Sequence, residues 1–156
     1  MSKSSIRMNH LLEALGSHIG IRDLKLNDDH VCRLVLDKTL VIDIEHIVGT
    51  ETVHVYAVVG THLGNGPTVY RKLLSANLFG NGTGGAVLAF DDQRDEVLLT
   101  HTFDLEVVTP EKFVATLDSF VGYVETWTNE LLAESEDEDE ESDDDSSEDP
   151  NGFIRV

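Results

Sequence analysis

Apolar residues recur at helical spacing near the start of the chain. Met8, Leu11, Leu12, Leu15 and Ile19 share one side of a helix predicted over residues 5–18, with Ser4 or Ser5 to cap it and Gly16 or Gly20 to end it. The pattern then shifts to runs rich in β-branched residues. Leu24-Lys25-Leu26 is a short lead-in, Asn27-Asp28-Asp29 a turn, and Val31 to Leu36 the first full strand. Asp37-Lys38 turns the chain into a second strand, Leu40 to Ile47, and a third follows from Thr52 to Val59. The short connections predict an antiparallel meander.

Gly60 to Gly66 reads as a glycine-bearing loop, and Pro67 opens a second helix. Val69, Tyr70, Leu73, Leu74, Leu78 and Phe79 form its apolar face, and Gly80 ends it. Gly85 to Phe90 and Glu96 to Phe103 predict a hairpin. Thr109 and Pro110 start a third helix, whose apolar face is Phe113, Leu117, Phe120, Val121, Val124, Trp127 and Leu131. The order α-β-β-β-α-β-β-α implies an α+β domain with an antiparallel sheet packed by helices.

Composition changes after Ala133. Residues 134 to 149 contain twelve acids and no Lys or Arg, within a chain of 156 residues and net charge −19. Residues 1 to 133 hold ten cations against eighteen acids, which leaves −8. The chain therefore divides into a domain, 1–133, and an acidic tail, 134–156, too poor in apolar residues to offset its ordering entropy and so predicted disordered. Three roles fit the tail: a solubilising bristle, a nucleic-acid mimic that holds a basic protein, or a loose buffer for divalent cations. Its serines suit phosphorylation in a eukaryote. The last residues, Phe153-Ile154-Arg155-Val156, are apolar again. They read as a frayed end or as a short strand that docks on a partner.

The acidity argues against nucleic acid as a direct partner and against docking on an anionic membrane. No apolar run approaches the roughly 20 residues that span a bilayer. The N-terminus lacks the apolar core of a secretory signal. A cytoplasmic location is expected. The single cysteine, Cys32, permits no internal disulfide and reads as a small core residue.

Candidate chemistry is weak throughout. The run Gly80-Asn81-Gly82-Thr83-Gly84-Gly85 follows a helix and opens a strand, the reverse of a phosphate loop. Seven histidines are present in no metal-binding spacing, although His46 and His54 lie on strands that could bring them together. Asp43 and Glu45 face the same way and read as sheet-face charges rather than an acid–base pair. No catalytic site, cofactor or metal is assigned.

Apolar residues on both faces of the strands carry more information. Leu40, Ile42 and Ile44 oppose Val41; Val53, Val55, Ala57 and Val59 oppose Tyr56 and Val58; Cys32, Leu34 and Leu36 oppose Val31 and Val35. Three helices hardly cover both faces of five strands, so exposed apolar surface is expected, for a dimer, a client or both.

These features resemble the class I type III secretion chaperone family, also called Tir-chaperone-like, from Leu11 to Leu132. The resemblance rests on Leu11-Leu12-Glu13-Ala14-Leu15 with Gly20-Ile21 and Leu24-Lys25-Leu26, and on Leu73-Leu74-Ser75-Ala76-Asn77-Leu78-Phe79 followed by Thr83-Gly84-Gly85-Ala86-Val87-Leu88-Ala89-Phe90-Asp91. Val97-Leu98-Leu99-Thr100 and the helix Phe113 to Trp127 complete it. It implies a non-enzymatic homodimer that keeps the N-terminal segment of effector proteins extended and competent for export. It leans toward a general chaperone of several effectors, with the secretion ATPase as a further partner. It places client contacts at Leu11, Leu15, Ile19, Val35, Val41, Tyr56 and Val58. It places the dimer contact at Val69, Leu73, Leu74, Asn77, Leu78, Ala86, Leu88 and Phe90. The acidic tail and the glycine-rich loop depart from the family pattern. A same-fold regulatory adaptor and an acidic histone-type chaperone working through its tail are the alternatives.

Overall fold

A computed structural model describes residues 2–61 and 66–144, with side chains as far as Glu136. Phe153 to Val156 and most of the glycine-bearing loop lie outside the described residues. The elements are α1 (Lys3–Ile19), β1 (Val31–Leu36), β2 (Leu40–His46), β3 (Thr52–Thr61), α2 (Pro67–Asn77), a 3-10 turn (Leu78–Gly80), β4 (Val87–Asp91), β5 (Glu96–Asp104) and α3 (Pro110–Asp144). The order matches the pattern-based expectation, with differences at the ends. Ser2, not Ser4 or Ser5, caps α1, accepting from the Ser5 amide at 3.1 Å. Gly20 ends α1 in the left-handed conformation. Leu24 to Leu26 form no strand; instead Leu24 and Leu26 pack against the core.

The five strands form one antiparallel sheet in the order β1-β2-β3-β5-β4. Strand alternation sends one set of side chains to an inner face under the helices. Cys32, Leu34, Ile42, Ile44, Val53, Val55, Ala57, Val97, Leu99 and Phe103 are all buried there. Met8, Leu11, Leu12 and Leu15 of α1 and Phe113, Leu117, Phe120, Val124, Trp127 and Leu131 of α3 complete the core. Each such side chain contributes roughly 1.5–3 kcal/mol when fully buried. Burial also pushes the Cys32 thiol pKa up, with the nearby Asp43 charge adding to it, which keeps the thiol uncharged at neutral pH.

The glycine run is a docking turn for α3. The Trp127 indole N–H donates to the Gly82 carbonyl at 2.9 Å. Gly84 has φ +61°, and a Cβ there would run into the Tyr123 ring. Gly84→Ala is expected to cost roughly 2–4 kcal/mol, from the left-handed backbone and the overpacking together, measured by urea unfolding.

α3 is longer than composition suggests. Disorder is expected from Glu134, yet the helix continues through Asp144. Adding a turn to an existing helix avoids the cost of nucleation. Lys72 of α2 also holds both Glu130 and Glu134, each at 2.7 Å, across the exit of the helix from the domain.

His101 lies beside Phe103, ring centroids 4.5 Å apart. Burial, and then the Lys112 charge, pull its pKa below the ordinary 6.5. The unfolded chain therefore takes up this proton first. The stability held at neutral pH is expected to be lost as pH falls through 6.5, until the folded-state pKa is passed. His101→Gln should remove that component, seen as a smaller drop in urea midpoint between neutral and mildly acidic buffer.

Candidate client-binding surface

No helix among the described residues covers the opposite face of the sheet. Val35 pairs with Val41 across β1 and β2, and Val58 pairs with Leu98 and Leu98 with Ala89 across β3, β5 and β4. This apolar row crosses the strands. Val35 is 57% exposed, and Val41 and Val58 are also exposed. The next row is polar. The Arg33 guanidinium donates two hydrogen bonds to the Asp43 carboxylate, both 2.7 Å. The Tyr56 hydroxyl donates to Glu45 at 3.2 Å, and His54 pairs with the Thr102 hydroxyl at 3.0 Å. Asp43 and Glu45 do share a face, and each is already engaged by a neighbour. Burial, then the charges of Glu45 and Asp43, raise the Tyr56 pKa, so the hydroxyl stays a donor. A shallow groove of about 890 Å³ runs over Val41, Tyr56, Val58 and Leu98.

His46 and His54 do not meet. His46 is buried on the inner face with its ring nitrogen on the Thr50 carbonyl, whereas His54 belongs to the outer face. Odd and even positions on strands point to opposite faces, and the two strands are offset in register.

The sheet has two edges, β1 and β4, and they differ. In an antiparallel strand the N–H and C=O of one residue point the same way, alternating between neighbours. On β1, Val31 turns both groups outward: its N–H donates to the Asn27 side chain at 3.0 Å and its C=O accepts from the Asn27 amide at 2.9 Å. Arg33 and Val35 share that parity, and their outward groups have no partner among the described residues. On β4 and just before it the outward residues are Ala86, Leu88 and Phe90. The Asn77 side-chain amide takes both groups of Leu88, accepting from its N–H at 2.8 Å and donating to its C=O at 3.0 Å. Thr83 takes both groups of Ala86, its carbonyl accepting at 3.2 Å and its hydroxyl donating at 2.6 Å. One edge is open at two successive outward positions, and the other is closed over two.

A second apolar patch lies beside β4. Phe79 is 92% exposed, held at φ +54° where the chain leaves α2, and Leu74 and Leu78 are 71% and 58% exposed. Phe90 meets the Tyr70 ring edge-on and is partly exposed.

The residues singled out from sequence separate accordingly. Val35, Val41, Tyr56 and Val58 come together on the outer face. Leu11 and Leu15 do not join them: both are 3% exposed, within the core, and Ile19 is half-buried against it. The apolar stripe of an amphipathic helix is the face it buries. Of the dimer set, Leu74, Leu78 and Phe90 are exposed, whereas Val69, Leu73, Ala86 and Leu88 are buried and the Asn77 amide is spent on β4. Phe79 lies just beyond the segment to Leu78 that the resemblance implies for the dimer contact, and the exposed patch includes it.

No helix among the described residues is long and apolar enough to cross a membrane. The family model for the Tir chaperone protein (CesT) family matches residues 10–128. A Tir chaperone of Citrobacter freundii is 30% identical over 121 residues, covering 78% of this chain and 77% of its own. One from Escherichia coli is 27% identical over the same shares. Among solved structures, a chain of the ExsC–ExsE complex superposes with a TM-score of 0.69 at 24% identity, covering 84% of this chain and 97% of that one. A chain of the HopA1–SchA chaperone–effector complex gives 0.69 at 14% identity, covering 83% and 98%. The protein belongs to the Tir chaperone protein (CesT) family and is a non-enzymatic chaperone of type III secretion with the class I α+β fold.

Proposed function

We propose that the chain holds the N-terminal segment of an effector as an added strand on the free edge of β1. The observation that carries this reading is the pair of outward backbone sites at Arg33 and Val35, open beyond the capped Val31. An extended segment satisfies them with main-chain bonds, which tolerate varied side chains. Its side chains on the outer face then meet Val35, Val41 and the groove toward Tyr56 and Val58. Holding a segment this way needs no ATP and no covalent chemistry.

The same proposal makes the protein a homodimer through the patch beside β4. Leu74, Leu78, Phe79 and Phe90 supply exposed apolar surface, and buried Val69, Leu73, Ala86 and Leu88 support it from beneath. Delivery of the loaded complex to the secretion ATPase is part of the proposal and rests on family membership.

Co-expression tests the main reading. The full chain should co-purify with an effector that retains its N-terminal segment and release one truncated of it. Equal recovery of the truncated effector would refute the reading and favour binding of a folded partner.

A further inference from the structure

The β4 edge is closed at Leu88 by a side chain that local structure does not require, and at Ala86, just before the strand, by the Thr83 turn. Asn77 sits at the last position of α2, eleven residues from Leu88, and its amide presents one acceptor and one donor as a neighbouring strand would. Thr83 is 1% exposed and spends its hydroxyl on the Ala86 carbonyl. Leaving these backbone groups unpaired would create a second template for an extended chain. We propose that Asn77 and Thr83 act as a surrogate strand that closes β4, so that each protomer accepts one extended segment, at β1. The inference rests on the strand-addition reading above and adds to it the direction and number of strands taken up.

Two consequences follow from the same geometry. The dimer contact is made by side chains of α2 and the 3-10 turn, not by a sheet continuing from one β4 to the other. The unloaded protein is also protected from stacking edge to edge, because a β1 edge finds only Phe90 uncapped on the β4 edge of another copy.

The test is a binding count on the full chain. The probe is a fluorescein-labelled heptapeptide of alternating valine and threonine with lysine ends. The wild type should bind one peptide per chain. Asn77→Ala, which frees Leu88 beside the already outward Phe90, should bind two. It should also form thioflavin T-positive assemblies larger than a dimer, in proportion to concentration. Asn77→Asp keeps the acceptor for the Leu88 N–H but loses the donor, and is expected to fall between the two. An Asn77→Ala protein with a wild-type circular dichroism spectrum, no added site and no assembly would overturn the proposal. A wild type that binds no peptide while Asn77→Ala binds one would refute the β1 reading and leave the surrogate strand standing. Should Asn77→Ala not fold, amide exchange on the wild type decides: saturating peptide should leave Phe90 unchanged, and protection there would overturn the proposal.

Discussion

Val35→Pro is expected to weaken capture of an effector segment by about ten- to a hundredfold while leaving the fold in place. Proline is tolerated on an edge strand when its nitrogen faces away from the sheet. Val35 has the parity of Val31, so its N–H points outward and the fold does not use it. An added strand does use it. Removing the donor leaves a client carbonyl unpaired, which costs roughly 1–3 kcal/mol, and the ring obstructs the next bond in the ladder. Val35→Thr keeps the backbone and loses only apolar contact, so its effect should be much smaller. This contrast separates main-chain pairing from simple hydrophobic adhesion. Titration of the purified complex by fluorescence anisotropy, with unfolding curves alongside, gives both numbers. Equal binding by Val35→Pro and wild type would move the client to another surface.

Charging the patch beside β4 is expected to turn the proposed dimer into a monomer. Leu78→Asp together with Phe79→Asp places two carboxylates where two apolar side chains would be buried against a second copy. An uncompensated charge in such a contact costs roughly 3–5 kcal/mol, so self-association should weaken by at least a hundredfold. The monomer itself should tolerate both changes. Both side chains are exposed, Phe79 almost fully, and aspartate adopts the positive φ at residue 79 more readily than most residues. Sedimentation velocity should show the mass halved with the unfolding curve little changed. A double variant that stays dimeric would place the contact elsewhere, and a monomeric wild type would remove the dimer from the account.

Periodicity carried most of the fold in advance. The 3.6-residue spacing of Met8 to Leu15 and of Phe113 to Leu131 and the alternation in β1 to β3 are local properties, and the elements formed where those patterns lie. The apolar exceptions to alternation, Val35, Val41, Tyr56 and Val58, marked the uncovered face for the same reason. Leu11 and Leu15 could not be read as surface from that pattern, because the stripe that defines an amphipathic helix is also the one it buries. Phe79 was misplaced because the helix breaks one residue before it, and a left-handed residue points its side chain off the helical face. The caps were invisible for a different reason. Asn77 acts only after α2 and β4 have come together, and no spacing rule relates a helix C-terminus to a strand edge; Thr83 acts within a turn whose hydrogen bonds a glycine-rich run does not announce. The helical run from Glu134 to Asp144 was hidden by composition, which reports on burial and not on a helix already nucleated and pinned by Lys72.

Amide hydrogen exchange on the full chain, free and bound to an effector's N-terminal segment, tests strand addition most directly. The account predicts that the Arg33 and Val35 amides exchange freely in the unloaded protein and become protected in the complex, with Leu88 protected in both. Protection of the complex confined to the helices, with Arg33 and Val35 still exchanging freely, would contradict it.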